Sequence, residues 1–221
     1  MADYSETFST DPFASRWGHL YNTMTWVGSA YVLCPSGGAN TYFGTDIVDT
    51  AQYVKVQHTD ASPSGGAVFR STGTGSDNYY QVYRSAISGN VFFEVSNESG
   101  YLEEVDNGGT FTIAQNDYTG ATCVGTGTAT TIRVWLNPSN DVPYDAENWD
   151  SSSDPPDVTM DASGGISNPC DSGTYIGVGS YSINDSYDNW HGGSTTDPSV
   201  VIAGYTMQGR YLLEARSDGT T

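Results

Sequence analysis

Short runs of β-branched and aromatic residues, each closed by Gly, Asn, Asp or Ser, recur along this chain, which is the pattern of strands joined by turns. The clearest is Thr131-Ile-Arg-Val-Trp-Leu136. Its alternation sends Ile132, Val134 and Leu136 to one face and Arg133 and Trp135 to the other, as a half-buried strand requires. Upstream, the segments 53–58, 66–71, 78–84, 91–96 and 101–105 follow in quick succession. Their links, including Ser88-Gly89-Asn90 and residues 97–100, are too short to cross a sheet, so an antiparallel meander is expected.

Between Pro138 and Cys170 the pattern gives way to Pro, Asp, Ser and Asn, which predicts a long excursion, with Val158 and Met160 adding a short strand. Strand character resumes over 174–183, where Gly177 and Gly179 clear one face so that a neighbouring sheet or an aromatic ring can approach. After a polar link the last segment becomes strand-like at Val200, Val201 and Ile202, and again around Tyr211, Leu212 and Leu213. The organisation expected is one β-sandwich over 1–193 and a C-terminal extension over 194–221 that serves as an assembly arm, adding a strand to a neighbour's sheet edge.

Composition supports strands over helices: Gly is 26, Tyr 16 and aromatics 13% of the 221 residues, so core volume comes largely from bulky, half-polar rings. The net charge of −19 arises from 26 acidic residues against six Arg and the single Lys55. Nucleic-acid binding needs cationic side chains that displace counterions, and this chain has almost none, so nucleic acid is excluded as a partner. No stretch is long and apolar enough for membrane insertion. Cys34, Cys123 and Cys170 are far apart and form no C-x-x-C pair, which removes the usual zinc and redox readings. The start, Met-Ala-Asp-Tyr-Ser-Glu, has neither the cationic beginning nor the apolar run of a signal peptide. Either a signal has been removed or the protein reaches its site without one, as a virion component does.

Three segments, in order, resemble modules of the concanavalin A-like lectin/glucanase superfamily, a laminin G-like jelly roll found in phage virion and bacterial surface proteins. They are Tyr4-Ser-Glu-Thr-Phe8 with Ser15-Arg-Trp17; Gly66-Ala-Val-Phe-Arg70 with Asp77-Asn-Tyr-Tyr-Gln-Val-Tyr-Arg84; and Gly173-Thr-Tyr-Ile-Gly-Val-Gly179 with Tyr187-Asp-Asn-Trp-His-Gly-Gly193. The resemblance implies an all-β, jelly-roll-like sandwich of two stacked antiparallel sheets with the first strand beside the last. It also implies frequent glycan-binding or adhesive roles, and calcium held near the junction of first and last strands, where Glu6 and Asp188 occupy the matching places. The acids of the excursion, Asp145, Glu147, Asp150 and Asp154, are an alternative oxygen-ligand set without EF-hand spacing.

The superfamily's glucanases carry catalytic acids at alternate positions of one strand. Glu104-Val-Asp106 has two of these, but Gly108 stands where the third would be, so a non-catalytic protein is expected. Glycan binding needs a flat ring beside Asn, Asp or His donors. Trp149, Tyr144, Trp190 and His191 are the candidates; Trp149 lies in the polar excursion, where its ring either meets sugar or folds back over the core edge, whereas Trp17, Trp26 and Trp190 also suit a core. The leading expectation is a virion accessory protein, such as a capsid decoration or tail component, that is assembly-bound and contacts glycans. The first alternative is a secreted, extracellular carbohydrate-binding module, and the second a glucanase or lyase.

Overall fold

The computed structural model describes residues 3–28, 32–34, 39–45, 47, 51–73, 78–85, 87–96, 102–110, 112–143, 149, 155–180, 182–195, 199–202 and 205–208. In chain order the strands are β1 (Asp3–Glu6), β2 (Trp17–Tyr21), β3 (Thr25–Trp26), β4 (Val32–Leu33), β5 (Ala39–Phe43), β6 (Gln52–His58), β7 (Gly65–Ser71), β8 (Tyr79–Arg84), β9 (Asn90–Ser96), β10 (Leu102–Thr110), β11 (Tyr118–Val124), β12 (Thr131–Leu136), β13 (Val158–Asp161), β14 (Tyr175–Ser180), β15 (Ser186–Ser194), β16 (Ser199–Ile202) and β17 (Tyr205–Gln208). One sheet of eight strands runs β13-β12-β11-β6-β15-β4-β3, with β1 also on β15. A second, of seven strands, runs β10-β9-β8-β7-β14-β5-β2. All pairings are antiparallel, and the first strand does lie beside the last strand of the sandwich, with Asp3 opposite Gly193 and Glu6 opposite Trp190.

The inner faces meet over one large core. Val54 and Val56 of β6, Ala67 and Phe69 of β7, Tyr80 and Val82 of β8, and Ile132 and Val134 of β12 all belong to it, as period-two alternation requires. Its aromatic centre is Trp17 edge-on to Trp190 at 4.9 Å, with Phe43 5.0 Å from Trp190. Trp190 is therefore core, which corrects its place among the glycan-binding candidates: a fully buried ring offers no face to a sugar.

The expected meander is corrected at its first step. β6 pairs with β11 and β15 in the first sheet, so the chain crosses between sheets over residues 59–64, and the meander proper is β7-β8-β9-β10. A buried carboxylate pins this crossing. Asp185 accepts from Ser64 N (3.0 Å), Ser64 Oγ (2.7 Å), Ser180 Oγ (2.8 Å) and Ser182 N (3.0 Å). At Gly65, φ is +81° and a Cβ would fall 2.2 Å from the Tyr187 hydroxyl, so only glycine makes the turn.

Both faces of β12 are covered. The inner face carries Ile132 and Val134 as expected, while on the outer face Trp135 is buried under the excursion. Trp149 folds back there. Its ring lies 5.5 Å from Trp135 and 5.8 Å from Tyr53, and its Nε1 donates to the Asn140 carbonyl. Gly120 makes the seat: a Cβ there would come within 3.0 Å of the Trp149 ring. Beyond Thr195, which still donates to Ala51 O at 2.9 Å, β16 and β17 pair, among the described residues, only with each other as a separate two-stranded sheet. Val200, Val201 and Ile202 lie in β16; Tyr211, Leu212 and Leu213 lie outside the described residues.

Candidate functional site

The outer face of the first sheet is a lattice of cross-strand rows. Tyr118, Gln57 and Asp188 form one row across β11, β6 and β15; Gly120, Lys55, His191 and Ser5 form the next. Between Asp188 and His191 a β-bulge interrupts β15, and Asn189 inside it takes φ +44°. The bulge keeps both Asp188 and His191 on the outer face, while Trp190 turns into the core. Asn189 Nδ2 donates to Gln57 Oε1 at 2.6 Å, and its side chain also hydrogen-bonds the Tyr118 hydroxyl.

Lys55 lies beneath this patch. The ammonium donates to Asp141 Oδ1 (2.9 Å), Asn140 O (3.0 Å) and Pro138 O (3.2 Å), and sits 4.8 Å from the Tyr118 ring centroid. The single lysine is thus a buried clamp that brings the excursion, and Asp141 with it, to the edge of the patch. The Lys55 hydrogen bond holds the Asp141 carboxyl below the usual range against a smaller opposing effect of burial, and His191, whose Nε2 is 3.7 Å from Asp141 Oδ2, acts in the same direction. Burial pushes Asp188 up, opposed by the Asn189 N–H. Burial, then the charges of Asp141 and Asp188, raise Tyr118, against the Asn189 hydrogen bond. His191 Nδ1 is buried without a hydrogen-bond partner among the described residues.

A half-exposed tyrosine ring thereby shares one sheet face with an amide pair, an imidazole and two carboxylates. This is the chemistry of neutral polyol recognition: a C–H face for the ring, with donors and acceptors at its rim. Of the residues expected at a glycan site, the structure brings His191 here. Trp149 is corrected to a buried residue of the outer-face cluster, because its ring has Tyr53 and Trp135 to cover and its N–H a carbonyl to reach. Tyr144 lies outside the described residues, as do Asp145, Glu147, Asp150 and Asp154. Tyr118, Gln57 and Asn189 escaped sequence reading; the available signal was Asn116-Asp-Tyr118, a turn delivering a ring to the start of a strand.

The expected calcium pair is not formed. Glu6 stands opposite Trp190, on the face where Tyr4 packs against Phe43, and its Oε1 accepts from Phe8 N at 3.1 Å; Asp188 stands opposite Gln57 on the other face. The bulge in β15 separates the two carboxylates across the sheet, and among the described residues no three His, Cys, Asp or Glu side chains converge as metal ligands. A second bulge, in β10, undoes the acidic pair of that strand. Glu104 is opposite Glu94 on the outer face of the second sheet, but Asp106 is opposite Phe93, and its Oδ2 accepts from Asp161 N at 2.9 Å.

No family model matches this chain. No curated protein sequence matches it either. Solved structures do. The carbohydrate binding module CBM66 from Bacillus subtilis superposes with a TM-score of 0.52 at 15% identity, covering 80% of this chain and 95% of its own. A Bacillus subtilis protein of unknown function with a galectin-like fold gives 0.53 at 10% identity, covering 86% and 94%. The exoplasmic/lumenal domain of VIP36 in its Ca2+-bound form gives 0.51 at 11% identity, covering 93% and 95%. With its two antiparallel sheets and its first strand beside the last strand of the sandwich, this chain has the fold of the concanavalin A-like jelly-roll sandwiches.

Proposed function

We propose that this protein is a carbohydrate-binding module that takes a neutral glycan on the outer face of its first sheet. The observation that carries the reading is the Tyr118 ring, half-exposed in a row with Gln57 and Asp188 and bordered by Asn189, His191 and Asp141. The net charge of −19 favours neutral over anionic polymers. The name of one fold neighbour, a carbohydrate binding module, is consistent with it. Tyr118 gives the stacking surface, His191 donates through Nε2, and Asp188, Gln57 and the Asn189 side-chain carbonyl accept. A glycan array probed with the intact chain should show binding to neutral glycans that Tyr118→Ala and Asn189→Ala each reduce about ten-fold, the loss of one good stacking or hydrogen-bonding contact. An array on which the wild-type chain is silent refutes the reading.

One observation favours assembly as a second role. The β16–β17 hairpin forms its own two-stranded sheet, and such a hairpin has edges able to accept a strand from a virion or surface-assembly partner. Because β15 runs to Ser194 and Thr195 is bonded to Ala51, a deletion should begin at residue 196. Loss of incorporation with an intact sandwich supports this role, and unaffected assembly removes it.

A further inference from the structure

The outer face of the second sheet carries a different arrangement. One cross-strand row runs Glu104 (β10), Glu94 (β9), Gln81 (β8), Val68 (β7) and Gly177 (β14), each directly opposite the next. Directly opposed residues share a face with Cβ atoms about 5 Å apart, so two carboxyl-bearing side chains stand next to each other. Glu104 is exposed, whereas Glu94 is only 5% exposed. Glu94 Oε1 accepts from the Tyr83 hydroxyl at 2.9 Å; Oε2 is buried with no hydrogen-bond partner among the described residues. Neither carboxylate has an ion-pair partner among them. Burial and, less strongly, the Glu104 charge push the Glu94 carboxyl upward, against the Tyr83 hydrogen bond. In the adjoining row Tyr83 faces Phe92, their rings stacked with centroids 5.3 Å apart at 25°, and Phe92 is half-buried.

A buried carboxylate oxygen with no donor is costly, and a second carboxylate directly across makes it more so. A cation with several N–H donors relieves both at once. We infer that this row binds the primary ammonium group of an amino sugar within a polysaccharide, the ammonium donating to Glu104 and to Glu94, whose Oε2 turns outward on binding, while the sugar's C–H face lies on Phe92. A bare metal ion fits less well. Calcium takes six to eight oxygens, and no third acidic, His or Cys side chain joins these two among the described residues. Stacked aromatic rings beside the pair suit an organic cation. The site goes beyond the Tyr118 patch, on the opposite sheet, and stands or falls separately from it.

The test is isothermal titration of the intact chain with a glucosamine oligomer and with its fully N-acetylated counterpart. The glucosamine oligomer should bind, with the acetylated one at least about ten-fold weaker. Glu94→Gln and Glu104→Gln should each weaken binding by a similar factor, while Glu103→Gln, the same charge change opposite Val95 on the same strand, leaves it unchanged. Glu104 is exposed, so its variant retains the fold even where Glu94→Gln does not. Equal affinity for the two oligomers, or no binding to either, overturns the inference. So does a Glu94-dependent heat from calcium chloride alone, which reassigns the pair to a metal, and so does Glu94-dependent release of new reducing ends, which reassigns it to acid catalysis.

Discussion

Replacing Lys55 by methionine keeps the aliphatic stem and removes an ammonium that holds two backbone carbonyls, Pro138 O and Asn140 O, and the Asp141 carboxylate. Hydrogen bonds to a charged group contribute about 1.5–3 kcal/mol. The Asp141 contact counts for little of this, because that side chain is 60% exposed and rehydrates when released. The two carbonyls matter more, since Lys55 is 5% exposed and the excursion they belong to covers Trp135. Asn140 O keeps one donor, the Trp149 indole, which limits the damage. The expected loss is about 2–3 kcal/mol, which for a chain of this size lowers Tm by roughly 4–12 °C. Thermal unfolding by circular dichroism measures it. Acrylamide quenching reports whether the buried Trp149 becomes accessible, and binding to the best glycan should weaken as Asp141 leaves the patch. A Tm within about 1 °C of wild type, with unchanged quenching, would refute the clamp.

His58 is buried, bonded to Thr119 Oγ1 at 2.8 Å, and burial lowers its pKa to about 3 from an ordinary 6.5. The unfolded chain therefore binds the extra proton between those values, and stability is lost as pH falls below 6.5. From neutral pH to pH 5 the loss is about 2 kcal/mol, and the difference between wild type and His58→Gln in a pH series of urea melts isolates it from carboxylates such as Asp185 that titrate in the opposite sense. Gly120→Val places methyl groups where Trp149 and Pro138 already lie within 3.0 Å, and should cost about 1–3 kcal/mol with a shifted tryptophan emission. Cys34, Cys123 and Cys170 are all buried, and burial raises the last two thiols to about 12, so a colorimetric thiol reagent should find none reactive until the chain is unfolded.

Much of the sandwich was legible because alternation and turn chemistry act locally. β12 appears over the residues its pattern predicts, and β7, β8 and β9 fall within a residue of theirs. What stayed hidden depends on contacts distant in sequence. β11, Tyr-Thr-Gly-Ala-Thr-Cys-Val, lacks the bulky alternation of a strand because Gly120 must leave room for Trp149. Trp149 itself reads as a lone ring in a polar run until Tyr53 and Trp135 are brought beneath it. Two bulges account for the site errors. Period-two counting puts Glu104 with Asp106, and the first-and-last-strand junction puts Glu6 with Asp188, but residues added in β10 and β15 send one member of each pair to the other face. The same bulge in β15 frees Asn189 to cap Gln57, which no local pattern signals.

The most direct test of the glycan-binding account is an amide NMR titration of the intact chain with the strongest neutral glycan from the array. Shifts should concentrate at Gln57, Tyr118, Asp141 and 188–191 and disappear in Tyr118→Ala. Shifts that leave this patch untouched, or that persist unchanged in Tyr118→Ala, would contradict it.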